Sequence, residues 1–278
     1  MIERPPLSPE EMALSYSKYY FIDPDPTDPV ALQCLREPLP AELVVDPANV
    51  ADMFRAGYDS EAMMGWYIGD GWSYSTLYTR LPGVSIEMLD WWFTWFGVRP
   101  PSVKPEDGNL RYKIWNPGLH FDQCPADQET YERFCNPDIP MRLRREPSSI
   151  IIREKLSPSD PSIKEMRAHA TPHSALALPD ECWEYINACG TLTVAASDHS
   201  VMLQFFRKID TGCELIIRTW RGYVLNDEGK IVKLDGFPTP TKEHLVADLV
   251  HNLTEMPHLA KLLPGLYAEE GSKPIGAY

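Results

Sequence analysis

A chain of 278 residues, 44% of them apolar, is long enough for one large domain, or one domain with a small companion, and can fill a sizeable core. Its 26 Lys and Arg stand against 40 Asp and Glu, so the net charge is 26 − 40 = −14, which repels phosphate backbones and argues against nucleic acid as a partner. The longest strongly apolar stretch, WWFTWFGV at 91–98, falls far short of the ~18 residues of a membrane span, and the N-terminus lacks the charged-then-apolar order of a secretory leader.

Prolines crowd the first 50 residues (RPPLSPEE, IDPDPTDP, REPLP). Each fixes its own φ and pushes its predecessor out of the helical region, which predicts an extended segment. One short helix is expected at Ser8 to Tyr16, with Ser8 as cap, Pro9 at the first helical position, and Glu10 and Glu11 in the first turn. Residues 51–80, rich in Gly and aromatics, show no clean period, so residues 1–80 are expected to form a small irregular region.

PGVSIEMLDWWFTWFG carries a helix opening and close: Ser85 as cap, Glu87 and Asp90 early, Gly97 after the last apolar residue and Pro100 beyond. Its aromatics lie all round, which predicts a buried or interfacial helix. NLRYKIW alternates and predicts a strand with Leu110, Tyr112 and Ile114 on one face. SSIIIREKL does the same and sets Glu154 in line with Ile150 and Ile152. VMLQFFRKIDTGCELIIRTWRGYVL predicts two strands joined by a three-residue loop, Asp210 to Gly212, and NDEG turns the chain into KIVKL. From TPTKEHLVADLVHNL the spacing becomes helical, with Leu245, Leu249 and Leu253 in one row. The expected fold class is α+β: an antiparallel sheet curved around a long late helix, a natural enclosure for a ligand cavity. The six scattered cysteines form no CxxC pair and fit reduced thiols in a cytoplasm.

Four residues suggest a metal site. His251 and Glu255 stand four apart in DLVHNLTEMP, so on a helix they share one face a turn apart. The alternative is a solvated polar face shared with His244, Asp248 and His258. Glu154 faces the same way as Ile150 and Ile152, and a buried carboxylate must be protonated, paired or metal-bound. Its alternative is a salt bridge or an edge position. His120 follows NPGL and is either a loop ligand aimed at a cavity or a capping histidine. Two His and two Glu suit zinc with an added water. His199, in SDHSV, is read as a surface-loop residue.

PGVSIEMLDWWFTWFG, RYKIWNPGLHF, the strand with Glu154, CELIIRTWRGY and the terminal H-x-x-x-E occur in the order found in the 2,4-diacetylphloroglucinol hydrolase and phloretin hydrolase family, which the chain resembles over roughly residues 60–260. The resemblance implies a zinc-dependent hydrolase of the bond between an acyl group and a phenolic, phloroglucinol-type ring or related β-diketone-like substrate, by attack of a zinc-activated water on the ketone carbonyl. It implies a Bet v 1-like helix-grip catalytic domain at 81–278, and a small N-terminal region at 1–80 that helps form a homodimer. The implied zinc ligands are His120, Glu154, His251 and Glu255. Tyr112, Tyr223 and Glu154 are implied catalytic groups. Tyr112, Tyr223, Gln123 and Trp220 are implied contacts to a small aromatic ketone. Read without the resemblance, Tyr112 and Tyr223 are amphipathic packing residues. The chain departs from the family at Gln123, where an asparagine is expected, which points to a non-identical substrate, and at Arg218-Thr219-Trp220, where a more aromatic run is expected, which points to a reshaped ring-binding wall. The competing readings are a small-molecule binding protein, a purely structural metal, and a non-hydrolytic enzyme of the same fold.

Overall fold

The computed structural model describes residues 3–58 and 64–276, so Met1, Ile2 and positions 59–63 of the expected N-terminal region lie outside the described residues. In chain order the helices are α1 (Pro9–Met12), α2 (Pro29–Cys34), α3 (Ile86–Trp95), α4 (Leu110–Trp115), α5 (Gln128–Cys135), α6 (Asp180–Cys189) and α7 (Lys242–Glu270). The strands are β1 (Gly65–Gly69), β2 (Trp72–Pro82), β3 (His120–Pro125), β4 (Ser148–Glu154), β5 (Lys164–Thr171), β6 (Gly190–Ala196), β7 (Ser200–Ile209), β8 (Gly212–Arg221), β9 (Tyr223–Leu225) and β10 (Ile231–Lys233). The class is α+β, with a large antiparallel sheet and a long C-terminal helix. By hydrogen bonding the sheet order is β1-β2-β8-β7-β6-β5-β4-β3. The chain divides into two compact units: Met1–Pro26, Pro82–His169 and Thr254–Tyr278 form the first, and Thr27–Leu81 and Ala170–Leu253 the second. The first 80 residues are thus shared between them.

In the first unit, Ser8 caps α1 as expected: its hydroxyl accepts from the Glu11 N–H and the Glu11 carboxylate accepts from the Ser8 N–H. The helix is shorter than the proline pattern suggested, ending at Met12. Ser85 caps α3 through the Met88 N–H, and α3 buries Trp91, Trp92 and Trp95.

The strand expected at NLRYKIW is the helix α4, capped by Asn109. Alternation misleads here because both charged residues are as buried as the apolar ones. The Arg111 guanidinium donates to the carbonyls of Trp95 (2.8 Å), Val98 (3.1 Å) and Ile275 (3.2 Å), and Lys113 Nζ lies 2.8 Å from Glu11 Oε1. A buried charge held in this way gives no polar face for a pattern to detect. β3 and β4 pair antiparallel, with His120 opposite Glu154 and an irregularity between His120 and Asp122.

In the second unit β7 and β8 pair from Ser200↔Arg221 to Ile209↔Gly212. The hairpin loop is therefore the two residues Asp210 and Thr211, not three. Gly212, at φ +145°, already belongs to the strand, and the tighter turn is possible because glycine tolerates that backbone. Along β8, Ile216 and Trp220 join a core with Val50, Phe54, Tyr74 and Phe205. The turn at Asn226 to Gly229 links β9 to β10 as expected. Helix α7 runs 29 residues through Pro257 and Pro264, with Leu245, Leu249 and Leu253 buried in a row. Among the described residues no helix is long and apolar enough to cross a membrane, and all six cysteines are free thiols.

Candidate metal centre

The site is built around α4. Gly108 precedes it at φ +82°, where a Cβ would lie 2.4 Å from the Phe121 carbonyl oxygen, so only glycine lets the chain pass this close to β3. Asn109 then caps the helix: its Oδ1 accepts from the Arg111 N–H at 3.1 Å, and its Nδ2 donates to the carbonyls of Phe96 and Gln123 at 2.7 and 2.8 Å. This fixes the helix start and turns Tyr112 and Trp115, one turn apart, toward the ligand residues.

Tyr112 lies flat on His120, ring centroids 3.9 Å apart and planes within 4°. Its hydroxyl donates to Glu154 Oε2. Burial, and then the charges of Glu154 and Glu255, push the Tyr112 hydroxyl well above its ordinary range, so it is a donor at neutral pH. His120 is buried; its Nδ1 lies 3.3 Å from the Tyr112 carbonyl oxygen, and its Nε2 faces the carboxylates. That nitrogen stands 3.1 Å from Glu255 Oε2 and 3.5 Å from Glu154 Oε2. The Trp115 indole N–H donates to the Glu255 carbonyl at 3.0 Å, tying α4 to α7.

His251 precedes Glu255 by one turn of α7 and is buried with it. One ligand atom from each of His120, His251 and Glu255 lies within 4.8 Å of the others. Carboxylates gathered in a buried place repel one another unless a proton or a cation sits among them. Two imidazoles and a carboxylate are also a donor set that binds zinc and its neighbours well. The residues present therefore fit a divalent metal. Glu154 stands beside this trio, with one oxygen engaged by Tyr112.

The structure gives the other expected residues these partners. Gln123 is buried on β3, paired with Ile152 of β4. Tyr223 belongs to the second unit, where it packs edge-on to Trp72 at 5.9 Å and, with Tyr67 and Val45, lines a cavity of about 730 Å3. Trp220 is fully buried there, its indole N–H donating 2.9 Å to the Val45 carbonyl. His199 is exposed beside Asp198, as expected of a surface loop. Trp115 was not singled out by sequence; its three-residue spacing from Tyr112 was the available signal, and a strand reading hides it.

A match to the DAPG hydrolase PhiG domain family spans residues 45–268. Phloretin hydrolase of Eubacterium ramulus is 32% identical over 272 residues, covering 94% of this chain and 92% of the relative. The 2,4-diacetylphloroglucinol hydrolase of Pseudomonas protegens is 24% identical over 207 residues, 69% of this chain and 62% of that protein. Among solved structures, a conserved protein of Enterococcus faecalis covers 84% of this chain and 90% of its own at 9% identity, but its TM-score of 0.30 is too low to bear on the fold. With a family match over more than half its length and a relative this similar end to end, the chain belongs to the DAPG hydrolase family and is a hydrolase.

Proposed function

We propose that this chain is a zinc-dependent hydrolase that cleaves the carbon–carbon bond between an acyl group and a phenolic, phloroglucinol-type ring or a related β-diketone-like substrate. The observation that carries this is the buried convergence of His120, His251 and Glu255, with Glu154 held beside them by Tyr112. His120, His251 and Glu255 would hold the ion, and Glu154 is the fourth ligand in this reading. A divalent ion there supplies Lewis acidity and acidifies water at neutral pH.

The chain's own residues do the rest. Water adds its oxygen to the acyl carbon, the acyl–ring bond breaks, and its electron pair passes to the ring carbon, which takes up a proton. The products are a carboxylic acid and the free phenol. The ring leaves most readily as its keto tautomer, so a donor to a ring oxygen lowers the barrier. In this reading the Tyr112 hydroxyl, which donates to Glu154 in the structure, turns to the ring oxygen when substrate binds. Glu154 in this reading accepts the proton of the attacking water and returns it to the ring carbon. In this reading Gln123, Tyr223 and Trp220 contact the small aromatic ketone, with Tyr223 a second phenolic donor.

The sheet order after β1, with its first long strand beside the last and a long closing helix, supports a Bet v 1-like helix-grip assignment. The proposed domains are an N-terminal region, 1–80, and a catalytic region, 81–278. Exposed Met12, Phe21, Val30, Leu32 and Leu43 favour a homodimer contact from the N-terminal region. Six free thiols favour a cytoplasmic setting. Binding without turnover is the second reading, favoured by the cavity beside Tyr223. Incubation with phloretin separates the two: acid and phenol products by mass spectrometry support hydrolysis, and recovery of unchanged phloretin with saturable binding supports a carrier.

A further inference from the structure

Helix α4 has two sets of partners. One face carries Tyr112 and Trp115, which touch His120, Glu154 and the backbone of Glu255. Arg111 and Lys113, two residues apart and so on different sides of the helix, flank that face; both are buried and both reach the N-terminal arm. Lys113 Nζ pairs with Glu11 Oε1 at 2.8 Å, with side chains 2% and 1% exposed. The Arg111 Nε donates to the Tyr16 hydroxyl at 3.3 Å. So short a helix is held by its surroundings: the Asn109 cap fixes its start, and Lys113, which also donates to the Asp107 carbonyl, ties its flank to Glu11.

We propose that Glu11 is a positioning residue for the metal centre: through its buried ion pair with Lys113 it fixes the rotation of α4, and so the seating of Tyr112 on His120 and Glu154. The inference rests on the proposed function. Tyr112 is the outer partner of two residues of that site, and outer partners orient ligands with consequences for affinity and rate. A rotation that withdraws the hydroxyl from Glu154 frees that carboxylate and tilts the ring under His120. The arm is thus part of the site, 102 residues in sequence from the residue it holds.

Glu11→Gln isolates the pair. A glutamine still closes the capping box with Ser8, so α1 keeps its start, while the charge facing Lys113 is removed. The measurement compares parent and variant, both shown folded at the assay temperature by circular dichroism. Zn2+ affinity is read by competition with a chromogenic chelator, and kcat and KM with phloretin. The expected result is a loss of about tenfold in both Zn2+ affinity and kcat, with KM within about twofold. The exposed neighbour serves as control, and Glu10→Gln should change neither. Should Glu11→Gln fail to fold, Glu11→Asp, which keeps the charge but shortens its reach, is read the same way. A merely structural pair would lower the melting temperature and leave affinity and kcat of the folded protein within about twofold of the parent; that result overturns the inference. A parent that neither binds Zn2+ nor turns over phloretin sinks the proposed function instead, and this inference with it.

Discussion

Tyr112 touches two residues of the candidate site at once, stacking on the His120 ring at 3.9 Å while its hydroxyl donates to Glu154. One side chain therefore sets both the plane of an imidazole and the direction of a carboxylate. Tyr112→Phe keeps the stack and removes the hydrogen bond. We expect kcat to fall by about 10- to 100-fold while the far-ultraviolet circular dichroism stays unchanged. Activity within twofold of the parent would show that the hydroxyl neither orients Glu154 nor assists the leaving ring.

His251 and Glu255 share one face of α7, so either can be removed without cutting the helix. In His251→Ala and Glu255→Ala the metal should be lost and turnover should drop by at least about 1,000-fold. Both variants should retain a cooperative thermal transition. A variant that still carries one equivalent of metal by mass spectrometry and works normally would remove that residue from the ligand set.

His258 lies on the same helix, buried, with its imidazole pushed down to about 4, first by burial and then by the charge of Lys261; Asp25 opposes the shift weakly and Arg4 adds to it. The unfolded chain takes up this proton near 6.5 and the folded one only near 4, so the unfolded state holds more protons between these values. Stability is then fully present above about 6.5 and is lost as pH falls through about 4, by roughly 3 kcal/mol if the group acts alone. Urea unfolding at pH 7 and pH 4.5 measures this. In His258→Met that part of the acid loss should disappear; an unchanged pH dependence would assign it to other groups.

Much of the fold was legible because local signals and tertiary packing agreed. Ser85 announced α3, the leucine row announced α7, and the alternation around Ile150 and Ile152 announced β4 and the inward Glu154. The pairing of His251 with Glu255 followed from helical spacing alone. Legibility failed where tertiary contacts overrode pattern. Arg111 and Lys113 made α4 look like a strand because their partners, Glu11 and three carbonyls, come from distant segments. The Tyr112–Glu154 bond joins residues 42 apart, and no local period reveals it. At the hairpin, Gly212 was read as a loop residue because glycine marks both loops and the first strand position after a tight turn. The resemblance implies Trp220 as a substrate contact; that its indole is buried and donates to the Val45 carbonyl joins distant segments and has no local pattern.

The central claim is that a divalent metal held by His120, His251 and Glu255 is required to cleave an acyl–phenol bond. The most direct measurement is phloretin turnover by protein of known metal content, before and after removal of the metal with a tight chelator, and after addition of Zn2+. The account predicts about one equivalent of metal per chain, loss of product formation on stripping, and recovery with Zn2+. Undiminished release of acid and phenol by metal-free protein would contradict it.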